Sequence, residues 1–214
     1  MLQYLFTNPL SFAIWAAALL VAVTVHEFAH AWTADHLGDP TARLAGRVTL
    51  NPIAHLDPIG TLMLLVFRFG WGKPVPIDPF NLRNPRRDAA IISFAGPAAD
   101  LALALILSLI IRLSYLFLNS ALLIQTILLP FITLSVILAI FNMIPIHPLD
   151  GGKILVGLLP KENAYKIDAV LNRYGFFILI LLIFPFFGTS PIIAIISPII
   201  NLILSLLLPN APLV

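Results

Sequence analysis

The chain has 214 residues, of which 60% are hydrophobic and only 10% are charged. A typical soluble domain has about 25% charged residues, so this composition excludes an ordinary soluble globular protein. The net charge of +2 is too small to indicate a nucleic-acid-binding protein, and the absence of cysteine excludes disulfides and thiolate metal ligands.

Three long apolar segments predict membrane-spanning helices, each of which needs about 20 residues. The first is predicted at about 11–35 and stops near the turn sequence GDPT, and the second at about 88–118. A break at Asn119–Ser120 separates it from the third, at about 125–145, which runs into the prolines and glycines of FNMIPIHPLDGG. These segments predict a mostly helical membrane protein.

Two other apolar regions are less regular. Residues 59–70 are too few to span easily and are interrupted by Arg68, which favours a re-entrant or interfacial segment. The amphipathic stretch 161–173 leads into an uncharged tail, 174–214, whose prolines and glycine predict two further spans with a break between them. The predicted fold is therefore an all-α integral membrane protein, a bundle of about five spans with short extended pieces near 42–58.

The basic residues predict the orientation of the spans. Lys and Arg concentrate at 43–47, 68–87 and 153–173, whereas the connection 119–124 has none. Basic segments are retained on the cytoplasmic side of a membrane, so we expect these three segments there. The first two can share that side only if residues 59–70 enter the membrane and return.

The stretch HEFAH, residues 26–30, predicts a metal site. Residues four apart share a face of a helix, so His26 and His30 can converge on one ion while Glu27 lies at the edge of that face. Two neutral imidazoles suit Zn²⁺, and the glutamate can take a proton from water at the zinc. The alternative is a pair of core histidines satisfied by hydrogen bonds, but polar groups within a span usually mark function.

A catalytic zinc normally has three protein ligands and one open position, so a third donor is needed. Asp150 is preferred, because PLDGG places it at the end of a span on backbone made non-helical by proline and glycine. Irregular backbone at membrane depth is tolerated where it is buried in protein or lines a watery cavity. The other candidate donors are His36, His55, Asp57, Asp100 and His147.

The motifs HEFAH at 26–30, AGPAAD at 95–100 and NMIPIHPLDGG at 142–152 together resemble the site-2 protease family of intramembrane zinc metalloproteases, also called peptidase family M50. The resemblance covers about residues 10–160. It implies that His26, His30 and Asp150 bind one Zn²⁺ per chain. It also implies that Glu27 is the catalytic base and that Asn142 lies near the scissile peptide.

The resemblance implies an endopeptidase that cuts single-pass membrane proteins or signal-peptide remnants within or next to their transmembrane segments. It implies a prokaryotic cell membrane, and the distribution of basic residues predicts an active site nearer the cytoplasmic side. We expect a single membrane-embedded domain over 1–214, with a catalytic core at about 10–160 and C-terminal helices at 161–209. The chain has no room for the PDZ or nucleotide-sensing domain that many members carry.

A membrane metal-binding or metal-transport protein using the same His/His/Asp site is the alternative function. Against it, Glu27 would have no necessary role there, and no inverted repeat is visible. A catalytically inactive scaffold is a third possibility, although every expected catalytic residue is present.

Four further residues have weaker signals. Asp100 is predicted to be a satisfied structural carboxylate, with a water path or an arginine partner as alternatives. Gly96 is predicted to be a helix-contact position. A backbone-satisfied loop histidine is expected at His55, and no role is assigned to His147.

Overall fold

The structure is a computed structural model that describes residues 7–67, 70–117, 121–185 and 188–208. Within these ranges the backbone forms eight α-helices and two short 3-10 helices, so the predicted all-α fold is confirmed. The α-helices are α1 (Pro9–His36), α2 (Thr41–Leu44), α3 (Pro58–Phe67), α4 (Pro85–Phe117), α5 (Ala121–Asn142), α6 (Asp150–Leu158), α7 (Lys161–Ile183) and α8 (Pro191–Leu207). The 3-10 helices are Pro52–His55 and Pro79–Asn81.

Three of these helices are long and apolar enough to cross a membrane. They are Pro9–His36, Pro85–Phe117 and Leu122–Asn142, the last being nearly all of α5. They correspond within a few residues to the first three predicted spans. The chain is therefore a membrane protein, as its composition predicts.

The signals that bound α1 are visible in the sequence. The Asn8 side chain accepts a hydrogen bond from the Ser11 N–H at 3.1 Å, and Pro9 occupies the first turn. The helix ends at His36, and Gly38 then adopts a φ of 106°, a left-handed conformation that favours glycine. Residues 26–30 consequently lie within about the last three turns of α1.

The predicted re-entrant segment contains a short helix. Helix α3 has 10 residues and a length of about 15 Å, half of the roughly 30 Å hydrocarbon core. Re-entry of residues 59–70 stays a prediction. Arg68 and the predicted break at Asn119–Ser120 lie outside the described residues.

The tail forms two helices, as predicted, but neither is among the three membrane-length spans found in the described ranges. Helix α7 begins with charged and polar residues and becomes apolar only in its second half, and α8 has 17 residues. Gly188, with a φ of 89°, lies in the break between them. Crossing of the membrane by these two helices stays a prediction.

Helix α4 is central and packs on α1, α5 and α6, while α8 packs on α5. The largest buried cluster joins α4, α5 and α8 and consists of Ala104, Ile111, Ile132, Val136, Ile196, Ile200, Leu204 and Leu208. On the outer faces of these helices many large apolar side chains are exposed, as expected for contact with lipid. The packing of α1, α4 and α6 leaves one shared interior for the polar residues of the site.

A buried carboxylate ties the turn after α1 to the segment before α4. Asp39 is fully buried and accepts hydrogen bonds from the Thr41 hydroxyl and N–H, from the Asp78 N–H at 2.7 Å and from the Asn81 amide at 2.9 Å. Burial acts to raise the pKa of Asp39, but these hydrogen bonds hold that pKa below its ordinary value.

Candidate metal centre and active site

His26 and His30 lie one turn apart on α1 and face the interior formed with α4 and α6. Their exposed fractions are 5% and 6%. The rings meet edge to face, with centroids 4.6 Å apart. The i, i+4 spacing therefore produces the convergence expected from the sequence.

Asp150 is brought to these histidines by an abrupt change of chain direction. It is the first residue of α6, directly after the proline-rich loop that follows α5. The expectation of non-helical backbone at Asp150 is therefore wrong, because Asp150, Gly151 and Gly152 form the first turn of α6 and only the preceding loop is irregular. Gly151 makes the close packing possible, since a Cβ there would lie 2.2 Å from the Ile144 carbonyl oxygen and 2.4 Å from that of Met143. No other residue type fits at this position without a shift of the loop.

The three predicted ligands form a nearly equilateral triangle. The Nε2 atoms of His26 and His30 are 3.0 Å apart. Asp150 Oδ2 lies 3.1 Å from the first of these nitrogens and 3.2 Å from the second. Among the described residues these three form the one group of His and acidic side chains with a metal-binding arrangement.

The hydrogen bonds of the Nδ1 atoms of His26 and His30 determine the protonation of the Nε2 atoms in the triangle. His30 Nδ1 donates to the Ile92 carbonyl at 2.7 Å, and His26 Nδ1 donates to the Asp100 carboxylate at 2.7 Å. In a neutral imidazole the other nitrogen then carries a lone pair. When both imidazoles are neutral, two lone pairs and a carboxylate oxygen converge on one point, and a cation at that point stabilises the arrangement.

The triangle fits a zinc ion. Ligand atoms about 2.0–2.1 Å from zinc in a tetrahedral arrangement lie about 3.3 Å from one another, close to the separations of 3.0–3.2 Å found here. Three protein ligands also leave the fourth position that a catalytic zinc needs. His26, His30 and Asp150 are therefore suited to hold the ion.

Asp100 and Gly96 support the histidines from α4. Asp100 is fully buried, and its Oδ2 accepts the hydrogen bond that orients His26. The expected satisfied carboxylate is confirmed only in part, because Oδ1 has no hydrogen-bond partner among the described residues. Gly96, one turn earlier, faces both rings, because a Cβ there would lie 2.5 Å from His30 Nε2 and 2.7 Å from His26 Cε1. Their four-residue spacing in AGPAAD was the available signal, since it places both residues on one face of α4.

Glu27 lies beside a different set of residues. A Cβ on Gly72 would be 3.5 Å from Glu27 Oε1, so the backbone near Gly72 adjoins the carboxylate. The buried Arg47 interacts electrostatically with Glu27. Burial lowers the pKa of Arg47, and the charge of Glu27 opposes that change.

The other predicted donors are engaged elsewhere. Asn142, the last residue of α5, donates an amide hydrogen to the Leu138 carbonyl at 3.0 Å, and its role toward substrate stays a prediction. The imidazole of His55 donates to the Thr49 carbonyl at 2.8 Å, as expected for a loop histidine. The remaining three contact backbone or a carboxylate: His36 with the Trp32 carbonyl, Asp57 with the Gly60 N–H, and His147 with Asp168.

Comparison with known proteins identifies the family. The family model described as peptidase family M50 matches residues 118–182. A Bacillus subtilis protein named "Putative zinc metalloprotease YwhC" is 38% identical to the chain over 169 residues, which cover 77% of each. The chain belongs to peptidase family M50. This membership confirms the resemblance inferred from the three motifs.

Two further relatives of the M50 chain differ in length. The Mycobacterium tuberculosis protein named "Putative zinc metalloprotease Rip2" is 31% identical over 188 residues, covering 83% of this chain and 71% of the relative. "Zinc metalloprotease MJ0392" of Methanocaldococcus jannaschii is 26% identical over 194 residues, covering 89% of this chain but 48% of the relative. No solved structure matches the chain. Membership of family M50 together with the His/His/Asp triangle identifies the chain as a zinc metalloprotease.

Proposed function

We propose that this M50 protein is an intramembrane protease, which hydrolyses peptide bonds within or next to the transmembrane segments of other membrane proteins. The observation that carries the proposal is the position of the ligand triangle. Two of its three side chains are buried in a helix of membrane length, and the third begins α6 against that helix. A protease site there is accessible to substrates that lie in the bilayer, such as single-pass proteins and signal-peptide remnants cleaved in regulated intramembrane proteolysis.

The site residues have distinct roles in this proposal. His26, His30 and Asp150 hold one zinc ion, which acts as a Lewis acid toward water and the peptide carbonyl. Glu27 takes a proton from the attacking water and delivers it to the leaving amine. Asn142 has two amide hydrogens, of which Leu138 accepts one, so the other can donate to the carbonyl oxygen as its negative charge grows.

We further propose one membrane-embedded domain over 1–214, with its catalytic core at about 10–160 and accessory helices at 161–209. The active site would lie nearer the cytoplasmic side of a prokaryotic cell membrane. The charges near the site support this orientation, because Arg43 and Arg47 follow the site-bearing end of α1 and Lys153 follows Asp150. The apolar outer faces would contact the lipid bilayer.

The test is cleavage by purified protein in detergent, with a panel of tagged single-pass membrane substrates and a parallel measurement of bound zinc. Glu27→Gln should retain about one zinc per chain and lose cleavage by about 100-fold or more, because the general base is removed. The matched control is Glu162→Gln, which changes the chain's one other glutamate, an exposed residue in the first turn of α7. It should cleave like the wild type.

Two results would contradict the proposal. Unchanged cleavage by Glu27→Gln would remove Glu27 from its role as base. Zinc binding without cleavage of any substrate, combined with zinc flux through protein reconstituted in liposomes, would favour the transport alternative.

A further inference from the structure

Two loop segments between α1 and α4 meet beside Glu27. An isolated antiparallel bridge joins Leu56 to Gly72, and the Lys73 N–H donates to the His55 carbonyl at 2.8 Å. Gly72 is so near α1 that a Cβ on it would lie 3.2 Å from Val23 Cγ1 and 3.5 Å from Glu27 Oε1. Gly72 therefore lies next to the proposed base, and we call the backbone of residues 72–74, which begins at this contact, the wall.

Arg47 holds the wall in place through hydrogen bonds to its backbone carbonyls. Its side chain is 3% exposed, and its guanidinium donates to the Pro74 carbonyl at 3.0 Å and to the Lys73 carbonyl. It also lies 3.4 Å from Nδ1 of His55, in the opposite loop segment. The planar guanidinium can bridge several acceptors in this way, whereas a lysine ammonium is a point charge on a flexible stem.

The positive charge of Arg47 interacts with a group outside the loop, Glu27. A buried cation is costly unless it is paired, and the two carbonyls provide dipoles but no negative charge. Burial lowers the pKa of Arg47, and the negative charge of Glu27 opposes that change. The buried Nε of Arg47 has no hydrogen-bond partner among the described residues, so loop anchoring does not use all of its donors.

We propose that Arg47 is a positioning residue for peptide hydrolysis. It fixes the backbone of residues 72–74 against Glu27 and thereby fixes the place and direction of the carboxylate that takes the proton. The inference rests on the proposed role of Glu27 as base. Displacement of a catalytic group by about 1 Å can lower a rate by about 100-fold, so a secured wall next to the base has a large effect on turnover.

The test combines a local probe with kinetics on the full, zinc-loaded chain in detergent. Because the chain has no cysteine and Lys73 is exposed, Lys73→Cys accepts a single nitroxide spin label on the wall. Arg47→Lys and Arg47→Gln should increase the mobility of this label and lower kcat by about 100-fold, with a smaller change in KM and with about one zinc per chain retained. The matched control, Arg43→Ala, removes an arginine that is 62% exposed and should change none of these values.

Gly72→Ala provides a second variant that leaves Arg47 intact. Its Cβ would lie 3.2 Å from Val23 Cγ1 and 3.3 Å from the His55 carbonyl oxygen, so the wall or one of these neighbours must shift by a few tenths of an ångström. A fall in kcat smaller than that of the Arg47 variants is expected, with zinc retained.

Several outcomes would overturn the inference. If Arg47→Lys frees the label but leaves kcat unchanged, Arg47 only anchors a loop. Loss of zinc together with activity would place its effect on the metal cluster instead. A wild-type chain that cuts no substrate overturns the proposed function and this inference with it, whereas an active wild type with unaffected Arg47 variants overturns the inference alone.

Discussion

Asp100 determines which nitrogen of His26 faces the metal. Its carboxylate accepts the Nδ1 hydrogen at 2.7 Å, which leaves Nε2 free to bind the ion. We expect Asp100→Leu to weaken zinc binding by about 10–100-fold, as measured by competition with a chelator of known affinity. Asp100→Asn retains an acceptor oxygen and should lose less. Asp35→Asn, near the end of α1, is the control, and wild-type affinity in Asp100→Leu would show that the carboxylate does not orient the ligand.

Gly96 gives the two imidazoles their space. Gly96→Ala would place a methyl group within 2.5–2.7 Å of both rings, so we expect loss of bound zinc and of peptidase activity. Metal analysis of the folded protein measures this effect. Gly157→Ala is a steric control, because its Cβ would lie 2.3 Å from Ala90 Cβ between α4 and α6. If both variants retain zinc equally, the contact with the rings tolerates the methyl group.

The residues of the site differed in how far the sequence could predict them. His26, Glu27 and His30 were predictable because a helix converts a local spacing into a shared face. Asp150 required the chemistry of its proline- and glycine-rich surroundings. Arg47 and the contact of Asp100 with His26 were not predicted. The spacing in AGPAAD places Gly96 and Asp100 on one face of α4, but the partner of that face, like the contacts of Arg47, depends on how separate segments pack.

At the level of secondary structure elements, Asp39 links the turn after α1 to the segment before α4, and this link depends on pH. Since the pKa of Asp39 is lower in the folded protein than in the unfolded chain, its stabilisation is complete above about pH 4 and is lost as the pH falls through the lower folded value. Thermal unfolding in detergent between pH 3 and 7 should show this loss in the wild type.

Substitution of Asp39 provides the comparison for that titration. Asp39→Ala should lower the free energy of unfolding by about 1–3 kcal/mol near neutral pH, because several buried donors lose their acceptor. Its stability should then depend less on pH than that of the wild type. Equal pH dependence in both proteins would assign the acid sensitivity to other groups.

The main helices could be located from sequence more precisely than the loops between them. Apolar length together with proline and glycine at the boundaries predicted α1, α4 and α5 within a few residues. The bridge between Leu56 and Gly72 joins two irregular segments on either side of α3, so it has no strand-like alternation to predict it.

At the scale of the whole molecule, the charge distribution predicts which connections share a side of the membrane. Single cysteines at Asn119, in the predicted connection between the second and third spans, and at the exposed positions Ile53, Phe80 and Lys161 can report this, because the chain has none of its own. A membrane-impermeant maleimide applied to intact cells should label Asn119→Cys and should reach the other three only after permeabilisation. Labelling of Ile53→Cys and Phe80→Cys from opposite sides would show that the α3 segment crosses the membrane.

The number of spans could not be settled by the same reasoning. Helix α7 combines a charged first half with an apolar second half, and α8 is 17 residues long. Composition alone leaves open whether such helices cross, tilt or pack against the bundle, because tilt and depth are set by contacts with neighbouring helices.

The ligand triangle has one more consequence, for folding. His26 and Asp150 are 124 residues apart, so a bound zinc ion closes a very long chain loop in a protein that has no disulfides. Metal removal by a chelator should therefore lower the unfolding temperature of the wild type and of Glu27→Gln, but have little effect on Asp150→Ala. Equal shifts in all three proteins would contradict this. The ion thus acts as a tertiary cross-link, and a nascent chain lacks the complete ligand set until residue 150 has been synthesised and has joined α1.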